Sequence, residues 1–75
     1  MSLTELTLRI QRLERLGIQM AREYHRVAKG ELRLYYVERQ TYLQAIQKLI
    51  GGIEDARIAL EKAQHRFEEA KRPNE

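Results

Sequence analysis

Apolar residues recur alternately three and four positions apart along two uninterrupted runs of this chain. The first run is Leu3, Leu6, Ile10, Leu13, Gly17, Met20, Tyr24, Val27. The second is Leu32, Tyr35, Arg39, Tyr42, Ile46, Leu49, Ile53, Ala56, Leu60, Ala63, Phe67, Ala70. Eighteen of these 20 positions are apolar, against 14 of the other 55. Spacing of this kind lines one face of an α-helix, and sustained over several turns it makes a coiled-coil seam. An all-α chain of two helices follows, with Lys29-Gly30-Glu31 between them.

Local signals set the limits of the helices. Ser2 followed by Glu5 fits a capping box, which starts helix 1 at Leu3. Gly30 can take the left-handed conformation that ends a helix, and Lys29 suits the negative end of the helix dipole. Helix 1 is therefore expected over about 3–28, the turn at 29–30, helix 2 over about 31–72, and a frayed tail from Pro73. Gly51-Gly52, followed by Glu54 and Asp55, offers an alternative: a second reversal there would give a monomeric three-helix bundle. Because Ile46, Leu49, Ile53 and Ala56 keep their spacing through the glycines, a continuous helix 2 is the preferred reading.

Seventy-five residues make a single domain, and a chain of this size buries only about 60% of the surface its unfolded form exposes. There is no cysteine to supplement the core. Helix 2 is also apolar beside its seam, at Tyr36, Leu43 and Ile50 on one flank and Ala45 and Ala59 on the other. One facing helix cannot cover so wide a face, so two hairpins assembling into a four-helix bundle are expected, as a homodimer or larger homo-oligomer. In a continuous helix 2 the last turns would overhang helix 1. Arg39, the one charge on that seam, has two readings: it pairs with Glu38 or an acid across the bundle and fixes register, or it snorkels out to solvent.

No apolar stretch approaches the roughly 20 residues that cross a bilayer, and Met1-Ser2-Leu3-Thr4-Glu5 does not read as a leader, so no membrane insertion and a cytoplasmic location are expected. Catalytic, metal-binding and cofactor-binding residues are not identifiable, and no small-molecule substrate is expected. Phosphate-binding glycine loops, nucleophile elbows and zinc spacings do not occur. His65 has Glu61 and Glu69 one turn to either side, but Lys62 and Arg66 crowd that face. The four tyrosines, Tyr24, Tyr35, Tyr36 and Tyr42, gather near the reversal, where ring packing is their expected role.

Two functions remain open. The leading one is a small non-enzymatic scaffold or adaptor that self-associates and binds helical protein partners through coiled-coil contacts at Tyr36, Leu43, Ile50, Leu60 and Phe67. The competing one is a nucleic-acid binder. The net charge is +3, and residues 1–40 hold eight Lys/Arg against five acids, while residues 41–75 hold six of each. On helix 1, Arg12, Arg15, Arg22, Arg26 and Lys29 form a row opposite the seam, suited to an RNA or DNA backbone or to an acidic protein surface.

Tyr24, then Gly30-Glu31-Leu32, then Glu38, Gln40, Tyr42-Leu43 and Ala45 form a segment that resembles the helical-hairpin tip of bacterial outer-membrane efflux ducts. In those tips a tyrosine and a glycine flank the reversal and a Gln and Ala repeat follows. The segment after the glycine is about two residues shorter here. The resemblance implies a hairpin that contacts other helical hairpins.

Overall fold

Ser2 opens the first helix, its hydroxyl accepting from the Glu5 amide at 3.1 Å, and α1 then runs over Leu3–Ala28. The end of α1 is equally well defined. Gly30 sits at φ +89°. Its amide donates to the Val27 carbonyl at 3.0 Å, and the Glu31 amide reaches back to Arg26 at 3.1 Å. These are the two bonds of a Schellman stop. The apolar contact that usually accompanies that motif is replaced by an ion pair, Arg26 Nε to Glu31 Oε2 at 4.0 Å.

The computed structural model describes residues 2–71, and its second helix, α2, spans Tyr36–Lys71. The expected stop at Pro73 and the tail lie outside the described residues. α2 passes through Gly51-Gly52 unbroken, so the chain is a two-helix hairpin and the three-helix alternative is not adopted. The expected turn at 29–30 is corrected to a longer connection over 29–35. Helix 2 starts about five residues later than anticipated, where the Tyr35 carbonyl accepts from the Arg39 amide at 2.9 Å. No Ser, Thr, Asp or Asn occurs from 31 to 40 to mark a start, and Tyr35 has no short polar side chain to cap one.

That longer connection shifts the register of the two helices. Gln47 Nε2 donates to Tyr24 Oη at 3.1 Å, and Gln64 Nε2 donates to Thr7 Oγ1 at 2.9 Å. Both bonds pair residues whose numbers total 71, far from the pairing a two-residue turn would impose. The last turns of α2 therefore lie beside the start of α1. The unmatched turns are the first of α2, at the tip, which corrects the expected overhang at the other end.

The core is a single layer of side chains between the helices. Its buried residues are Leu6, Ile10 and Val27 of α1 and Leu43, Ile46 and Ile53 of α2, with Val27 sealed at 1% exposure. The molecule measures 61 × 18 × 15 Å. No described helix is long and apolar enough to cross a membrane.

Candidate interaction surfaces

From Ile46 onward, the stripe of α2 that meets α1 is Ile46, Ile50, Ile53, Arg57, Leu60, Gln64 and Phe67, all buried or half-buried. The seam expected from the sequence ran instead through Leu49, Ala56 and Ala63, which are exposed. Both series have three-four spacing, so periodicity alone does not separate them. Bulk and polarity do. Helix axes lie about 8–10 Å apart, a gap that Ile50 and the long stems of Arg57 and Gln64 fill better than alanines. Gln64 and Arg57 also gain hydrogen bonds there: Gln64 to Thr7, and Arg57 to Glu61 at 2.7 Å and to Glu54.

This phase redistributes the expected partner-binding residues. Leu43 is buried in the hairpin, and Ile50, Leu60 and Phe67 are half-buried, so these four contribute to the intramolecular layer. Tyr36 is 74% exposed at the tip, beside Tyr35 and Val37. The tyrosines thus divide into two pairs. Tyr24 and Tyr42 are half-buried and hydrogen-bonded, whereas Tyr35 and Tyr36 project outward.

Two long flanks border the hairpin and differ in chemistry. On one, a groove of about 420 Å³ runs between Gly17, Ile18 and Ala21 of α1 and Ile50, Ile53 and Glu54 of α2. It continues into charge: Arg57 with Glu54 and Glu61, then His65 Nε2 at 3.2 Å from Glu69. Because Glu61 is engaged by Arg57, the acids flanking His65 do not close around it. On the other flank, Leu60 lies against Leu13, Arg9 and Arg12. The Tyr42 hydroxyl donates to Glu23 Oε2 at 2.8 Å on the same side. Bonding to that carboxylate, then partial burial, holds the Tyr42 phenol above its ordinary pKa.

The basic row stands clear of the core, with Arg12, Arg15, Arg22, Arg26 and Lys29 all exposed. Arg26 pairs with Glu31, and among the described residues the other four make no ion pair. Arg39 does not make the expected pair with Glu38. It is half-buried, and its Nε is buried without a hydrogen-bond partner among the described residues. Comparison with protein families, curated proteins and solved structures finds no match for this chain.

Proposed function

We propose that this protein is a non-enzymatic cytoplasmic adaptor that self-associates and joins other helices through coiled-coil contacts. The observation that supports this reading is the apolar surface left over once α1 and α2 have packed. Leu49 is 50% exposed on α2, Leu16 is 39% exposed on α1, and Tyr35, Tyr36 and Val37 project from the tip. Among the described residues no further element covers them, and helix bundles are the usual way such faces become buried.

Light scattering across a dilution series tests the reading. A mass of two or more chains at micromolar concentration, falling toward one on dilution, is the expected result. A strict monomer at every concentration would remove it.

A second reading, a binder of RNA or DNA backbones, draws support from the four exposed cations of α1 that make no ion pair among the described residues. Titration at two salt concentrations tests it, since affinity carried by phosphate contacts falls steeply with salt. Absence of binding at low salt rejects it.

A further inference from the structure

We infer that a second copy of this chain packs antiparallel along the uncharged flank of α2, on a two-fold axis at Ala56. The inference rests on the self-associating reading above and gives it an interface. The flank begins at Tyr42 and ends at Ala70, and no position on it carries a charge. It is centred about a quarter-turn from the stripe that meets α1, and it shares Leu60 and Phe67 with that stripe, both half-buried in the hairpin. Two copies joined there would set four helices in a square, with the α1 helices also adjacent.

The order of large and small residues identifies the occupant. A two-fold axis perpendicular to α2 at Ala56 brings Ala56 onto its own copy, Gly52 opposite Leu60, and Leu49 opposite Ala63. Farther out it sets Ala45 opposite Phe67 and Tyr42 opposite Ala70. Every pair away from the axis joins one large residue to one small one. An isologous interface requires this self-complementarity, because the same patch must serve as both partners. A parallel pairing would set Leu49 on Leu49 and Ala63 on Ala63, alternating crowding with voids.

Two further features agree. Leu49, Gly52, Ala56 and Leu60 are spaced three, four and four, an eleven-residue step that straightens a coiled coil where the two-fold axis passes. Gly52 has nothing within 4 Å of where a Cβ would stand, which leaves room for the opposing Leu60. The flank is about 43 Å long and the hairpin is 18 Å across. Face-to-face docking would therefore bury about 800 Å² per copy, the usual size of a stable interface.

Introduced thiols report alone in this chain, which has no cysteine of its own. Ala56→Cys should give a disulfide-linked dimer under mild oxidation. Leu49→Cys mixed with Ala63→Cys should cross-link faster than either variant alone. Spin labels at Val37→Cys should lie about 57 Å apart, 19 residues from the axis on each side; a separation under about 25 Å would mean a parallel pair and overturn the inference.

Ala56→Glu, at an exposed position of the hairpin, should keep its helical circular dichroism and raise the dimer dissociation constant about 100-fold, by facing like charges across the axis. If Ala56→Glu dimerises as tightly as the wild type, this interface is wrong and self-association stands. If the wild type never dimerises, both fail together.

Discussion

The two stripes of α2 are alike in spacing and unlike in chemistry. The stripe facing α1 combines branched aliphatics with Arg57 and Gln64, whose polar ends reach hydrogen bonds at its border. The flank a quarter-turn away alternates alanine or glycine with large apolar residues and has no charge from Tyr42 to Ala70. The first is filled within one chain; the second shares Leu60 and Phe67 with it and leaves Ala45, Leu49, Gly52, Ala56, Ala63 and Ala70 exposed. Period reveals that a face is apolar, while side-chain size and polarity reveal what can lie against it.

Truncation should separate the two most strongly. Ile53→Ala, in the filled stripe, removes a buried branched side chain and should cost about 2–5 kcal/mol in chemical denaturation. In so small a protein that is most of the available stability. Leu49→Ala, on the open flank, should cost the hairpin well under half of this and act mainly on association. Equal losses in a dilute, monomeric sample would abolish the distinction.

Arg39→Leu comes next and runs in the opposite direction. Removing a buried nitrogen that has no partner among the described residues should raise stability by about 1–2 kcal/mol. Denaturant midpoints measured at constant m-value would show it.

The adjacent glycines give a finer test. An added methyl at Gly51 or Gly52 would meet no atom within 4 Å, so alanine at either should add about 1 kcal/mol to an isolated hairpin. Gly51 faces away from both stripes, and Gly52 lies on the uncharged flank. Under dimerising conditions Gly51→Ala should keep its gain and Gly52→Ala should lose it, as the new methyl meets Leu60 of the second copy.

The smallest effect concerns Tyr42 at the border of the stripes. Its folded-state pKa is raised, first by the bond to Glu23. The stabilisation is therefore complete below the unfolded tyrosine value of about 10 and is lost as pH rises through the folded value. Tyr42→Phe should melt slightly below the wild type at neutral pH, and the two should converge in strong alkali.

Most of the architecture is legible in the sequence because it rests on local rules. The Ser2 cap, the Gly30 stop and the unbroken phase through Gly51-Gly52 each follow from a residue and its near neighbours. The start of α2 was not legible, since Glu31 to Gln40 contains no capping residue and the glycine was the only punctuation. The five-residue later start shifts the inter-helix register and reverses which end of α2 is unmatched. The interface residues were harder still. Leu43 and Ile50 read as a flank only if Leu49 and Ala56 are taken as the seam, and the choice depends on what fills the gap to α1.

The closing bond between Gln64 and Thr7 has a consequence for how the molecule breathes. It fastens the free ends of the helices together, while the covalently joined end carries an uncapped α2 start and two outward tyrosines. Amide protons at the tip should exchange with solvent sooner than those around Ile10 and Ile53, so the hairpin loosens first where the chain itself connects it.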